Sequence, residues 1–168
     1  TSSYVPFSAF MMNDRFYAPI AEESGRIGVL GHGFTGGSHP LGAAVALENI
    51  AIIEERELVA NARTVGARFH KKLDSLQDHP LVGEIRGVGF ISALELVNDK
   101  AAKSVTGPVG ALGGLLNAAL LRNGAITRNL GDAVAFCPPL ITSEEQVDDL
   151  FAIVKKSLDD VTRLVKEN

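Results

Sequence analysis

The side chains with the clearest chemical potential lie in a glycine-rich segment, residues 31–40, with the sequence GHGFTGGSHP. Glycines let backbone N–H groups approach an anion closely, and the hydroxyls of Thr35 and Ser38 can donate hydrogen bonds to phosphate oxygens. The segment lacks the Gly-Lys-Ser/Thr ending of a Walker loop. Two interpretations stay open, phosphate binding and a tight loop before a capped helix, and the residue types alone slightly favour the loop.

Arg128 is the second candidate, at the end of a short apolar segment and just before a Gly-Asp turn. An arginine can hold a carboxylate through two parallel N–H bonds, whereas a lysine offers only a point charge. The alternative is a surface arginine that pairs with Asp132 across its turn. The residue types alone favour this alternative, because most arginines at strand ends are solvated.

Other reactive side chains give weaker signals. His32 and His39 have no third ligand at a convincing spacing, so we expect no metal site. Cys137 has no activating base or positive charge beside it in the sequence, and we interpret it as a core thiol. None of the lysines has an apolar setting that would prepare it to form an imine; they are Lys71, Lys72, Lys100, Lys103, Lys155, Lys156 and Lys166.

The secondary-structure elements before the glycine-rich segment are predicted from residue composition and from the residues that start or end helices. Residues 5–12 have the β-branched and aromatic composition of a strand. Asp14 is placed as the N-cap of a short helix over residues 15–23, which ends at Gly25.

Residues 28–40 contain five glycines and no period, which predicts a loop. Ser38 or His39 can cap the helix that follows, which runs from Pro40 to about Arg56. Since this helix is apolar on nearly every face, it must be buried against several neighbours.

The rest of the chain reads as helix, strands, helix, strands, helix, the order of a small α+β domain. An amphipathic helix begins near Leu58, and a capping box starts the last helix at Thr142 or Ser143 with Glu145 or Gln146 as its partner. Between them we predict strands over 82–86, 90–97, 125–128 and 133–137 and a helix over 109–122. A change of character near residues 54–57 marks the expected domain boundary.

Composition narrows the function classes. The 168 residues have a formal net charge of −4, which argues against a nucleic-acid binder that relies on net positive charge. A single cysteine excludes an intramolecular disulfide, and neither a membrane-spanning stretch nor a signal peptide is visible, so we expect a cytoplasmic protein. The apolar run that starts almost at Thr1 suggests a strand cut from something longer.

Four segments together resemble the C-terminal half of the class III pyridoxal-phosphate aminotransferases, in particular the omega-amino-acid:pyruvate type. They occur in the order of that family and cover almost the whole chain: TSSYVPFSAFMMNDRFYAPI, GHGFTGGSHPLGAAVALENI, HPLVGEIRGVGFISALELV and GAITRNLGDAVAFCPPLIT. The resemblance implies an α/β fold class, the C-terminal part of a fold-type-I transferase that uses pyridoxal 5'-phosphate. Residues 1–56 would be the end of the large cofactor domain with its phosphate loop, and residues 57–168 the α+β C-terminal small domain.

The resemblance also assigns site residues. Thr35 matches the threonine whose hydroxyl and backbone N–H bind the cofactor phosphate of the neighbouring subunit, and Phe34 occupies the adjoining position. Arg128 matches the arginine that receives the substrate carboxylate and swings aside for uncharged amines. Gly36 stands where many members have tyrosine, so the phosphate-proximal wall lacks that aromatic ring.

The Schiff-base lysine of such enzymes would lie just upstream of Thr1, so no catalytic residue is expected within this chain. We therefore expect a fragment that is inactive alone and whose partners are the missing N-terminal part and, in a homodimer or dimer of dimers, a second subunit. The implied reaction is ping-pong transfer of an amino group from an amine or omega-amino acid to a keto acid such as pyruvate. The alternatives are a non-catalytic binding or interaction module of the same fold and a phosphate-ligand enzyme of unrelated fold.

Overall fold

The computed structural model of the chain describes residues 1–33 and 35–167, with no account of the Glu167 side chain. Its contacts divide the chain into two compact units, Thr1–Arg56 and Glu57–Asn168. The division falls where the sequence changes character. That these units correspond to the end of a large cofactor domain and to a small domain stays a prediction.

The first unit contains two helices, α1 (Asp14–Ile27) and α2 (Pro40–Glu55). The prediction of a helix after residue 13 is correct, but its bounds were wrong, since Asn13 is the N-cap and Asp14 is already helical. The helix also passes through Gly25 and ends at Ile27. Its C-cap is Gly28, whose φ of +79° is the left-handed conformation that glycine adopts without a steric cost.

The strand predicted over residues 5–12 does not form, because this segment is irregular. A strand needs a partner for its backbone N–H and C=O groups, and none of the described residues of the first unit lies in a strand. The segment instead places the Phe7 ring against α2, where a Cβ added to Gly42 would meet it at 2.8 Å.

Helix α2 begins at Pro40 as predicted and is as apolar as the sequence indicated. The expected burial is not provided within this unit, however. Of the described residues of α2, Gly42 is buried, whereas Leu41, Leu47 and Ile50 are each more than half exposed.

The second unit combines three helices with a four-stranded antiparallel sheet among its described residues, which confirms the predicted α+β order. The strands lie in the order β1-β2-β4-β3. In chain order the elements are α3 (Leu58–Asp74), β1 (Val82–Val88), β2 (Ile91–Leu96), α4 (Ala111–Arg122), β3 (Arg128–Leu130), β4 (Ala133–Phe136) and α5 (Glu144–Glu167).

The core of this unit lies between the helices and one face of the sheet. Leu94 of β2 pairs with Val134 of β4, and both side chains are fully buried. Alternate residues of the strands face the other way, where Ala93 and Ala135 are partly exposed. The helices of this unit therefore cover one face of the sheet, and we call the other face the open face.

Helix α5 closes the core on the helical side. The predicted capping box is confirmed with Ser143 and Gln146, which bond reciprocally: the Gln146 N–H donates to Ser143 Oγ at 3.2 Å, and the Ser143 N–H donates to Gln146 Oε1 at 3.0 Å. Arg68 on α3 holds Asp148 on α5 through two hydrogen bonds and, with help from Lys72, lowers the pKa of that carboxyl to about 2. No helix within the described residues is long and apolar enough to cross a membrane.

We predict that Gly113→Ala destabilises the protein by about 2 kcal/mol or more, because a Cβ at this position would lie 2.2 Å from the backbone oxygen of Gly131, which cannot move aside easily. Gly114→Ala is the matched control in the next position of α4, where nothing lies within 4 Å of the added Cβ. Helix propensity makes that change neutral or stabilising by up to about 1 kcal/mol. Thermal unfolding measures both variants, and equal stability of the two would contradict the predicted close contact.

Candidate functional site

The glycine-rich segment forms a loop, as predicted, within its described residues. Residues 28–33 and 35–39 lie in turns, bends and irregular backbone, with no helix or strand. Ser38 has a φ of +59°, which a residue with a side chain rarely adopts. Gly31, Gly33 and Gly36 have the spacing of the dinucleotide fingerprint, but helix α1 precedes them where that motif requires a strand.

Thr35 opens the turn that leads into α2, and its side chain is exposed. Phe34, the adjoining predicted site residue, lies outside the described residues. His39 occupies the N-cap position of α2 without a capping hydrogen bond from its side chain, so the expected side-chain cap at Ser38 or His39 is absent. Among the described residues, no side chain satisfies the N–H groups of the first turn of α2.

A groove of about 650 Å³ lies beside this turn. The groove is lined by residues 5–8, by residues 36–39, and by Leu41 and Gly42. Residues 28–40 include no carboxylate. The groove therefore combines hydroxyl groups with the positive end of a helix, which is an arrangement that accepts an anion.

Arg128 is exposed as the first residue of the edge strand β3. The register pairs Arg128 with Ala135, Ala135 with Ala93, and Ala93 with Arg86. Since paired residues of antiparallel strands point to the same face, this row places two arginines on the open face of the sheet. Three strand spacings of roughly 4.8 Å each separate them, with only alanine methyl groups between.

The two arginines of this row differ in their partners. Arg86 donates a hydrogen bond to the Glu95 carboxylate at 2.8 Å and lies 3.8 Å from Glu84, and the bond to Glu95 raises the pKa of the guanidinium. Among the described residues, no hydrogen-bond or ion-pair partner is found for the side chain of Arg128, whose backbone pairs with Ala135. Arg128 is thus a charged, exposed group that is free to take a carboxylate ligand.

The alternative interpretation of Arg128, a pair with Asp132, is wrong in this structure. Both carboxylate oxygens of Asp132 accept hydrogen bonds from the start of α4: Oδ2 from the Gly110 N–H at 2.8 Å and Oδ1 from the Gly113 N–H at 3.0 Å. Sequence reasoning missed this role, because the partners are 22 and 19 residues apart. One signal for this role was available: Gly110, the N-cap of α4, has no side chain that could accept those bonds, so the helix needs an acceptor from elsewhere.

Cys137 is exposed, so its interpretation as a core thiol is wrong. It follows Phe136, whose ring is buried, and alternation turns the next side chain outward. No group of three potential metal ligands occurs among residues 1–33 and 35–167.

The two predicted sites belong to different units, Thr35 to the first and Arg128 to the second. Within each unit the side chain is exposed and placed on a defined backbone, at a turn before α2 and at the start of β3.

The family model for aminotransferase class-III matches residues 2–158 of the chain. Diaminobutyrate–2-oxoglutarate transaminase of Halomonas elongata is 39% identical over 165 residues, covering 96% of this chain and 35% of that protein. Putrescine–pyruvate aminotransferase of Pseudomonas aeruginosa is 39% identical over 166 residues, covering 98% of this chain and 35% of that protein.

A solved structure of a transaminase with L-ala is 58% identical and superposes with a TM-score of 0.95. The match covers 98% of this chain and 39% of that one. The chain spans about a third of the length of the curated relatives it matches.

Proposed function

Because the chain belongs to the class-III aminotransferase family, we propose that it forms part of a transaminase that moves an amino group from an amine donor to a keto acid. The predicted fold class is confirmed, since the α/β chain matches part of a solved transaminase closely. The single observation that carries the proposal is the family match over residues 2–158, since it takes in both candidate site residues.

Pyridoxal 5'-phosphate, the cofactor of this family, supplies a ring that withdraws electrons from the carbon bearing the amine. The residues present fit its phosphate, because the Thr35 turn offers hydroxyl and backbone donors at a helix N-terminus without a nearby carboxylate in the segment. Thr35 would donate its hydroxyl and backbone N–H to the phosphate of the neighbouring subunit.

Arg128 would bind the carboxylate of the substrate through two parallel N–H bonds. Its exposure and its lack of a partner among the described residues support this role, since the guanidinium need not break an existing ion pair first. The acceptor we propose is pyruvate. The name of the Pseudomonas relative includes pyruvate, and the solved transaminase contains L-ala, the amino acid that pyruvate yields.

We place the lysine that binds the cofactor covalently outside these 168 residues. Every lysine of the chain is described, and all are exposed except Lys72, which is half-buried and lies 3.1 Å from the Asp148 carboxylate. A lysine that attacks a carbonyl must lose its proton, and an exposed or ion-paired ammonium is poorly placed to do so. The 168 residues alone would therefore be inactive.

A second subunit or further chain would cover helix α2. Exposure of apolar side chains such as Leu47 and Ile50 to water is unfavourable, and burial in a homodimer or dimer of dimers would remove that cost.

Borohydride reduction of the whole protein with its cofactor tests the proposed function. We expect amino transfer to pyruvate and a reduced cofactor label on one lysine outside residues 1–168, located by peptide mass mapping. The isolated 168-residue chain should take up no label. A labelled lysine inside the chain would contradict the placement, and a whole protein without label or turnover would favour the non-catalytic binding module.

Thr35→Val in the whole protein should weaken binding of pyridoxal 5'-phosphate by about tenfold or more, because a hydrogen bond to a charged phosphate is lost while the side-chain shape is kept. Thr35→Ser retains the hydroxyl and should bind the cofactor nearly as well as the parent. Equilibrium dialysis of the apo forms measures the affinity. Equal cofactor binding by the Val and Ser variants would rule out the hydroxyl contact.

Arg128→Ala should reduce kcat/KM for carboxylated donors by at least about tenfold and leave simple amines nearly unaffected, because only the former need the guanidinium. Arg86→Ala, on the same face but already paired with Glu95, is the matched control and should change neither. Equal loss for both donor classes in Arg128→Ala would mean that the arginine has a structural role.

A further inference from the structure

The strand that carries Arg128 is held weakly by its own pairing. Strand β3 is three residues long, lies at the edge of the sheet, and pairs with β4 alone. A strand this short forms few ladder hydrogen bonds, so its register and twist need support from elsewhere.

A side-chain hydrogen bond supplies support immediately before Arg128. The hydroxyl of Thr127 donates to Asn117 Oδ1 on α4 at 2.8 Å, and both residues are partly buried. Since successive side chains of an extended chain point to opposite faces, holding Thr127 against α4 directs Arg128 to the open face.

A second contact with the same helix lies just after the strand. Asp132 accepts the two N–H bonds from Gly110 and Gly113, and its backbone oxygen accepts a third from the Leu96 N–H at 3.0 Å. The negative carboxylate also lies at the positive end of α4, which strengthens the contact. The turn after Arg128 is therefore fixed to both the helix and the sheet.

From these contacts we propose that Thr127 and Asp132 are positioning residues for the recognition of a substrate carboxylate. They fix the backbone on either side of Arg128 against α4, so that the guanidinium moves on a rigid base and the nearest carboxylate in sequence is kept from pairing with it. The proposal rests on the proposed function, in which Arg128 binds that carboxylate.

The test uses the whole holoenzyme and propanoate, a probe that offers a carboxylate without an amine. The half-reaction with an uncharged amine is followed, and propanoate is added as a competitor to give its inhibition constant. Thr127→Val, which keeps the branched shape and loses the hydroxyl, should raise this constant about 3- to 10-fold while kcat and KM for the amine stay unchanged. Thr127→Ser should restore the parent value.

Two further variants serve as a control and as a second test of the proposal. Thr64→Val removes a hydroxyl that bonds within α3, to the Ala60 backbone oxygen, and should leave the inhibition constant unchanged. Asp132→Asn, which replaces the carboxylate by an amide and so leaves one of the two N–H groups without an oxygen acceptor, should raise the constant at least as much as Thr127→Val. Asp132→Asn also has a readout in thermal unfolding, which separates a folding defect from a loss of carboxylate binding.

Arg128→Ala distinguishes failure of this proposal from failure of the proposed function. If Arg128→Ala abolishes inhibition by propanoate and Thr127→Val leaves the constant unchanged, the positioning role is overturned and the role of Arg128 stands. If Arg128→Ala itself leaves inhibition intact, Arg128 does not bind the carboxylate and the positioning role falls with it. Parallel increases in the amine KM and the propanoate constant in Thr127→Val would show a general structural effect and also overturn the proposal.

Discussion

The contact between the Asp132 carboxylate and the first turn of α4 is the constraint on which the second unit depends. It satisfies two N–H groups that Gly110, as N-cap, leaves without a side-chain acceptor. It also fixes the β3–β4 turn against the helix at a distance so short that Gly113 has no room for a side chain. One carboxylate thus caps the start of a helix, holds an edge hairpin and leaves Arg128 without a competing partner in its own turn.

The two units obtain their stability differently. The second unit has its own core, with Phe69, Leu94 and Leu158 shielded from water. The first unit leaves large apolar side chains such as Tyr4 and Met11 almost fully exposed. Monomeric proteins rarely leave large contiguous apolar patches in water, so this exposure supports the proposed burial of the first unit against another chain or subunit. Its spread of apolar residues over all faces of α2 fits that role better than the one-sided stripe of a surface helix.

Much of the fold was predictable where the hydrophobic period, or a single residue that starts or ends a helix, decided the local structure. The Ser143–Gln146 capping box, the start of α2 at Pro40 and the alternation of β2 all follow from local residue order. The strand predicted over residues 5–12 failed, since a strand requires a partner that composition cannot supply. The exposure of Cys137 was also not predictable from local residue order, since it depends on which face of the preceding strand β4 meets the helices.

The residue types of the candidate site could be predicted from the sequence, but their geometry could be predicted only in part. Glycines and hydroxyls near Thr35 and the fork of Arg128 suggest anion ligands by chemistry alone, but residue types did not decide between ligand and structure. The partners of Asp132 lie about twenty residues away along the chain, so local spacing gave the wrong neighbour. The freedom of Arg128 became visible only when the sheet register placed it beside alanines rather than beside Glu95.

The strand register has a consequence for how the substrate range of the proposed enzyme can diversify. Because side chains alternate between the faces, inserting or deleting one residue between Thr127 and Asp132 would exchange Arg128 for a neighbour on the open face. Because the hairpin contacts α4 at both ends, its backbone has little freedom to accommodate an added or missing residue. Variation in substrate preference should therefore accumulate as substitutions at fixed length, with the spacing from Arg128 to the Gly131–Asp132 turn kept constant while side chains around it change.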